Sequence, residues 1–190
     1  MKRLEEYIDI DIFGRCGKKP LEKSKNDDKN LGIYKKLLRS YYFYLSFENT
    51  RCKDYISEKF YNVLATASAI PIVFGPSKSE YEAVAPPYSF IHVNDFKNPE
   101  DLADYMNYLI DNTTAYMEYF WWTSYYTVKR TELICSFCEK MHSLRSGLSG
   151  KNTQTNRIED FNDYWVNKAD CNNPQTAPWK IIESNNKTKL

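Results

Sequence analysis

The sequence predicts an α/β fold in which helices pack against a parallel sheet, from two apolar runs and the helical pattern between them. Residues 42–47 have the length and composition of a short buried strand, and residues 70–74 form a second apolar run that ends at Gly75-Pro76. Between the two runs, apolar residues recur at helical spacing after Asp54, which we expect to cap this helix. A strand–helix–strand unit is typical of a parallel sheet, whose binding sites lie beyond the carboxyl ends of its strands.

The composition indicates one globular domain with some additional chain. The 190 residues are 42% hydrophobic and 27% charged, and 26 basic residues against 25 acidic ones leave a net charge of +1. This balance argues against a dedicated nucleic-acid-binding protein, whose domains are usually strongly basic. No apolar run approaches the roughly 18 residues that a membrane span needs.

The first elements are predicted from residue alternation and from charge. Residues Ile8–Phe13 alternate with a period of two, which predicts a strand with Ile8, Ile10 and Ile12 on one face. The segment Lys18–Lys36 carries seven lysines and three acidic residues. It could bind anions, but a solvated loop is the favoured interpretation.

Further elements follow the second apolar run. Ser89–Val93 is a strand candidate, and Asn98-Pro99 has the residues expected at a helix start, followed by an apolar stripe of Leu102, Met106 and Leu109. Two more helices are predicted around residues 114–126 and 130–144. After residue 146, aliphatic residues are few and no periodicity is sustained, so we expect residues 146–190 to be an irregular or disordered tail.

The loop and helix start from Glu48 to Lys59 form the candidate binding segment. A loop that leaves a parallel strand and enters a helix N-terminus is well placed to hold phosphate. In the predicted first helical turns, Tyr55 lies near both Glu58 and Lys59. The lysine could neutralise a diphosphate and a carboxylate could accept hydrogen bonds from ribose, although an ordinary surface helix start with an ion pair is an equal alternative. No P-loop or Gly-x-Gly-x-x-Gly motif is present, so nucleotide binding would depend on side chains and the helix terminus.

Cys135, Cys138 and His142 form a Cys-x-x-Cys-x-x-x-His pattern. These residues supply three possible zinc ligands, but a structural zinc site needs a fourth. A redox role has equally little support, because the motif lacks the expected strand–helix context. Disulfide cysteines or plain thiols are therefore the favoured interpretation. The total of five cysteines is odd.

The residues 44–59 resemble the signature of the α-1,3-fucosyltransferases. They read Tyr-Leu-Ser-Phe-Glu-Asn-Thr and then, after three residues, Asp-Tyr-Ile-Ser-Glu-Lys. Upstream, Phe13-Gly14-Arg15-Cys16-Gly17 resembles a further element of that family, and the ordered matches extend over about residues 8–145. The resemblance therefore covers most of the chain.

The resemblance implies the Rossmann-like, donor-binding domain of a GT-B glycosyltransferase, over residues 1–145. The family transfers fucose from GDP-fucose to a GlcNAc hydroxyl of a glycan, with inversion and without a required metal or other cofactor. Carried over by position, Asn49 and Tyr55 would contact the donor, Glu58 would hold its ribose and Lys59 its diphosphate. The glycan acceptor would be bound mainly by the amino-terminal half of the enzyme.

The resemblance also implies what this chain does not supply. The family's general base lies in the amino-terminal half, so no catalytic residue is assigned here and the chain alone is expected to be inactive. The membrane anchor likewise belongs to that half, and the expected location is the lumenal side of the Golgi membrane. The family pairing predicts a Cys16–Cys52 disulfide and leaves Cys135 and Cys138 unpaired.

Overall fold

The computed structural model describes residues 3–14, 17, 19–20, 27–128, 133–145, 160–164, 167 and 171. Within these residues the chain forms the following helices and strands, in order: α1 (Asp27–Leu38), β1 (Phe43–Phe47), α2 (Glu58–Thr66), β2 (Ile70–Phe74), α3 (Lys78–Val84), β3 (Ile91–His92), α4 (Pro99–Asp111), α5 (Thr113–Glu118), α6 (Leu133–Arg145) and α7 (Phe161–Asp163). Short 3-10 turns lie at Leu4–Glu6, Val93–Asp95 and Trp121–Ser124.

The three strands form one parallel sheet in the order β1-β2-β3, which confirms the predicted fold class. Phe43 is opposite Ile70 and Phe47 is opposite Phe74 in the register of β1 and β2. Helix α2 connects β1 to β2, and α3 connects β2 to β3. The carboxyl ends of all three strands therefore meet at one edge of the sheet.

Helices cover both faces of this sheet. On one face, the buried Ile72 and Ile91 pack with Leu102, Met106 and Leu109 of α4, the stripe that the sequence predicts. On the other face, a second cluster contains Phe60 and Leu64 of α2, Val73 of β2, Tyr81 of α3 and Trp122. Strand β2 is buried on both faces, as its continuous apolar run predicts.

Two helix starts test the cap predictions. At α4 the prediction is confirmed, because the side chain of Asn98 accepts a 2.8 Å hydrogen bond from the amide of Asp101, with Pro99 in the first turn. At α2 the predicted cap Asp54 is wrong. The helix begins at Glu58 with Ser57 as its N-cap, and Asp54 has a φ of 61°, which lies in the left-handed region.

The segment Ile8–Phe13 does not form the predicted strand. Its burial does alternate, with Ile8, Ile10 and Ile12 half-buried and Asp9 and Asp11 exposed. However, its backbone is not paired with β1, and Phe13 makes only an isolated bridge to Lys19. A cavity of about 690 Å³ is lined by residues 7–13 and by residues 40–45, among others.

Other predictions are partly corrected. The charged segment Lys18–Lys36 is not a loop over residues 27–36, which belong to α1. The strand predicted at Ser89–Val93 is confined to Ile91–His92. The helix predicted around 114–126 is α5 followed by a 3-10 turn, and the helix predicted around 130–144 is α6. Most of residues 146–190 lies outside the described residues, apart from α7 and a few single positions.

The disulfide differs from the predicted one. Cys52 is bonded to Cys171, 119 positions later in the chain, so the predicted Cys16–Cys52 pairing is corrected. The prediction failed because the family pairing that implied it gives no partner to Cys171, whereas the fold brings Cys171 to the buried Cys52. Cys16 itself lies outside the described residues.

None of the helices in the described ranges is long and apolar enough to span a lipid bilayer.

Candidate functional site

The candidate site lies at the carboxyl edge of the parallel sheet, where one polar segment follows each strand. Glu48 comes directly after β1, Gly75-Pro76-Ser77 follows β2, and His92 ends β3. The loop 48–57 leads from this edge to the N-terminus of α2. This is the position at which α/β proteins bind ligands and where exposed helix amides favour anions.

Glu48 and Ser57 join the two ends of the loop. The Glu48 carboxylate accepts hydrogen bonds from the Ser57 amide and from the Ser57 hydroxyl, both at 2.7 Å. The Glu48 side chain is 0% exposed. A buried carboxylate needs such partners, because an unpaired buried charge is costly. The loop is therefore closed by a buried polar contact at the start of α2.

Lys59 brings a positive charge to the same point. Its ammonium lies 3.6 Å from the Glu48 carboxylate and 3.8 Å from that of Glu58, and it donates to the Ser57 hydroxyl at 3.2 Å. The Lys59 side chain is 27% exposed and the Glu58 side chain is 71% exposed. The start of α2 thus has an accessible carboxylate beside a half-buried ammonium.

Glu80 holds the middle of the loop from α3. Its carboxylate accepts hydrogen bonds from the amide of Asp54 at 2.7 Å and from the amide and hydroxyl of Ser77. Ser77 and Glu80 form the capping box of α3. Burial alone would raise the pKa of Glu80, but these hydrogen bonds hold it below its ordinary value. Glu80 is therefore a carboxylate at neutral pH and anchors the turn at Asp54.

Gly75 lets the turn after β2 approach the loop closely. A Cβ atom at this position would lie 2.8 Å from Cγ of Glu48 and 2.9 Å from the hydroxyl of Tyr81. The ring of Tyr81 is fully buried against Phe60 and Phe90, and burial raises the pKa of its hydroxyl. The space between Glu48 and Tyr81 is therefore too small for any side chain at position 75, so glycine is needed there.

His92 links β3 to the turn after β2. Its Nε2 lies 3.1 Å from the carbonyl of Pro76, and its Nδ1 accepts a 3.0 Å hydrogen bond from the amide of Asn94. These partners require the neutral tautomer with the proton on Nε2. Burial lowers the pKa of His92, so the ring is uncharged at neutral pH and has a structural role.

The other predicted site residues lie in the loop itself. Asn49 is exposed directly after Glu48, and in the described residues it makes no hydrogen bond or ion pair with Glu58 or Lys59. Tyr55 is half-buried and precedes α2, so its predicted helical spacing to Glu58 and Lys59 is wrong. Arg51 lies with its guanidinium carbon 5.7 Å from the centre of the Phe74 ring.

Two carboxylates that hold this loop, Glu48 and Glu80, are not among the predicted donor contacts, although the predicted binding segment begins at Glu48. A sequence signal exists for Glu80, because Ser77-x-x-Glu80 is a capping-box pattern. A signal also exists for Ser57, because serine is a favoured N-cap residue and this one lies directly before Glu58. No local signal shows that Glu48 reaches Ser57 nine positions later, because that contact depends on the path of the loop.

The cysteine pattern on α6 does not form a metal centre. In the ranges that the structure describes, no group of three or more His, Cys, Asp or Glu side chains is placed to hold a metal ion. Cys135 and Cys138 are both exposed thiols on α6.

Comparison with known proteins places this chain in a family. The family model for glycosyltransferase family 10 (fucosyltransferase), C-terminal region, matches residues 1–161. Alpha-(1,3)-fucosyltransferase C of Drosophila melanogaster is 33% identical over 167 residues, which cover 88% of this chain and 36% of that protein. Alpha-(1,3)-fucosyltransferase fut-1 of Caenorhabditis elegans is 40% identical over 128 residues, which cover 67% of this chain and 28% of that protein.

One solved structure, a crystal structure of alpha1,3-fucosyltransferase with GDP-fucose, aligns with a TM-score of 0.46 and 26% identity over 70% of this chain and 38% of that one. This chain spans about a third of the length of the curated relatives it matches. Because the family model covers most of the sequence, the chain belongs to glycosyltransferase family 10, the fucosyltransferases, and matches the C-terminal region of that family.

Proposed function

We propose that this chain is the donor-binding part of an enzyme that transfers fucose from GDP-fucose to a GlcNAc hydroxyl of a glycan, in α-1,3 linkage and with inversion. Membership in the fucosyltransferase family supports the reaction class. The observation that carries the proposal is the half-buried Lys59 ammonium at the N-terminus of α2, next to the exposed Glu58 carboxylate. This pair offers a cation for the diphosphate of a nucleoside diphosphate sugar and a hydrogen-bond acceptor for its ribose hydroxyls.

In this proposal Lys59 binds the diphosphate of the donor. As the bond to fucose breaks, negative charge grows on the departing GDP. An ammonium held in place before the reaction stabilises that charge without reorganisation at the moment of transfer. The N-terminus of α2 adds a favourable field for the same anion.

Glu58, Asn49 and Tyr55 complete the proposed donor contacts. The Glu58 carboxylate is exposed and can accept hydrogen bonds from ribose hydroxyls. Asn49 has an exposed amide directly after β1, and Tyr55 lies in the loop between β1 and α2. Each of these side chains belongs to the one loop and helix start that face the carboxyl edge of the sheet.

The chemistry of transfer also needs a base that takes the proton of the acceptor hydroxyl. We assign this base and most acceptor contacts to the other half of a GT-B enzyme, which faces the donor-binding half across a cleft. The chain as it stands is then a GDP-fucose-binding module that transfers nothing. The proposed reaction requires no metal or other cofactor, and the proposed location is the lumenal side of the Golgi membrane.

Calorimetric titration of the full chain with GDP tests the proposal. Wild type is expected to bind GDP and to prefer it to ADP. Lys59→Ala should weaken binding roughly tenfold or more, because a charge-assisted contact to phosphate is lost. Lys35→Ala is the control, since Lys35 is an exposed lysine of α1, outside the proposed binding segment, and should change affinity little. No GDP binding by wild type, or equal binding by Lys59→Ala, would contradict the proposal.

A further inference from the structure

We propose that Glu48 is the positioning residue of the donor site: it holds the start of α2 and the ammonium of Lys59 in the arrangement that receives the diphosphate. The proposal rests on the proposed function, because it assigns a task to Lys59. Glu48 itself is buried, so it cannot be a donor contact. It acts on the ligand only through the groups that it fixes.

All described side-chain partners of Glu48 belong to the start of α2. One carboxylate oxygen accepts from the Ser57 amide, and the other accepts from the Ser57 hydroxyl and lies 3.6 Å from the Lys59 ammonium. The Ser57 hydroxyl is in turn 3.2 Å from the same ammonium. A single carboxylate therefore positions both the N-cap residue Ser57 and the ammonium of Lys59.

The sheet fixes the backbone of Glu48. The Glu48 amide donates to the carbonyl of Phe74 at 2.8 Å, which continues the pairing of β1 with β2 by one residue. The Glu48 side chain lies beside the turn after β2, since a Cβ added at Gly75 would lie only 2.8 Å from Cγ of Glu48. Glu48 thus connects the edge of the sheet to the Lys59 side chain: its backbone is bonded to β2 and its carboxylate lies next to the ammonium.

Immobilising a lysine side chain removes more rotamer freedom than immobilising most other side chains does. A Lys59 that is held before the ligand arrives does not incur that loss on binding, and preorganisation of this kind raises affinity. The charge of Glu48 opposes an anionic ligand, but its oxygens already accept two hydrogen bonds and lie beside the Lys59 ammonium. We therefore expect the positioning effect to exceed the repulsion.

A double-mutant cycle on GDP affinity tests this inference in the full chain. Glu48→Gln keeps an oxygen that accepts from Ser57 but removes the charge that holds Lys59, and we expect it to weaken GDP binding roughly fivefold. In a Lys59→Met background the same change should have almost no effect, because the residue through which Glu48 acts is gone. Glu82→Gln, an exposed site on α3, is the matched control. An unchanged affinity, tighter binding, or an equal loss in both backgrounds would overturn the proposal.

A second measurement separates this inference from the proposed function. If wild type does not bind GDP, the proposed function fails, and the rate at which acetic anhydride modifies Lys59 without nucleotide then decides the role of Glu48. We expect Glu48→Gln to raise the rate at Lys59 about twofold or more, because the ammonium loses its charged partner, and to leave exposed Lys53 unchanged. An unchanged rate at Lys59 would overturn the proposal. Should Glu48→Gln not fold, Ser57→Ala, which removes the hydroxyl between the two side chains, takes its place with the same expected direction.

Discussion

The backbone amide of Asp54 donates a 2.7 Å hydrogen bond to Oε1 of Glu80, twenty-six residues later in the chain. Asp54 lies at a positive φ in the middle of the loop between β1 and α2. Glu80 belongs to α3, which follows the neighbouring strand β2. The loop is therefore held at its turn by Glu80 and at its ends by Glu48 and Ser57, so the proposed donor-binding segment is fixed by two carboxylates from different elements.

Replacing Glu80 should affect both stability and binding. Glu80→Ala removes the capping box of α3 and the anchor of Asp54, and we expect a loss of about 1–2 kcal/mol in the free energy of unfolding. GDP affinity should fall as well, because the loop loses its fixed turn. Urea denaturation and calorimetry measure the two effects. Glu82→Ala on the same helix is the control, and a Glu80→Ala protein as stable as this control would show that the anchor has no energetic role.

Gly75 and Gly32 form a matched pair for alanine substitution. Gly75→Ala should destabilise the protein by about 1–3 kcal/mol, because the new Cβ would press on Glu48 and Tyr81. Gly32 lies inside α1, and a Cβ there meets nothing within 4 Å. Gly32→Ala should therefore stabilise the protein by about 0.5–1 kcal/mol. Thermal unfolding of both variants checks the signs; a harmless Gly75→Ala would mean that the turn can shift away from Glu48.

His92 should make stability depend on pH in the mildly acidic range. Burial lowers the pKa of His92 in the folded protein, so the unfolded chain takes up its proton first as the pH falls. Its contribution to stability is complete above an unfolded pKa of about 6.5 and is lost as the pH falls through the lower folded pKa. Urea denaturation between pH 7 and 5 should show this decline in wild type and a smaller one in His92→Gln. Equal slopes would assign the decline to other groups.

The Cys52–Cys171 disulfide gives a direct chemical prediction. Peptide mapping without reduction should recover Cys52 joined to Cys171, and Cys171→Ser should lower stability by about 2–5 kcal/mol, because the bond closes a long loop. Cys16→Ser should leave that linked peptide in place. Recovery of a Cys16–Cys52 peptide instead would restore the pairing that the family resemblance implies.

Local signals in the sequence predict much of the fold. Asn98 and Pro99 start α4 as expected, because capping and a fixed proline φ act within one turn of helix. The uninterrupted apolar run of β2 matches a strand buried on both faces. The segment Ile8–Phe13 alternates in burial as predicted, but it does not join the sheet, and an isolated bridge links Phe13 to Lys19.

The site itself is less predictable from the sequence because its contacts are long-range. The composition around Asp54 suggests a cap, yet Ser57 is the cap because Glu48 and Glu80 hold the preceding loop in a non-helical path. Glu58 and Lys59 are proposed as donor contacts from the motif at the helix start. Glu48 could not be found from spacing alone, since its role depends on a contact across nine residues and on the sheet edge beneath it.

Hydrogen–deuterium exchange of the full chain with and without GDP tests the central claim, that the segment from Asn49 to Lys59 binds the donor nucleotide. Amides of this segment should exchange more slowly when GDP is present, and the change should be lost in Lys59→Ala at the same GDP concentration. Unchanged exchange across residues 49–59 at a saturating GDP concentration, or protection only elsewhere, such as beside the cavity lined by residues 7–13, would contradict it.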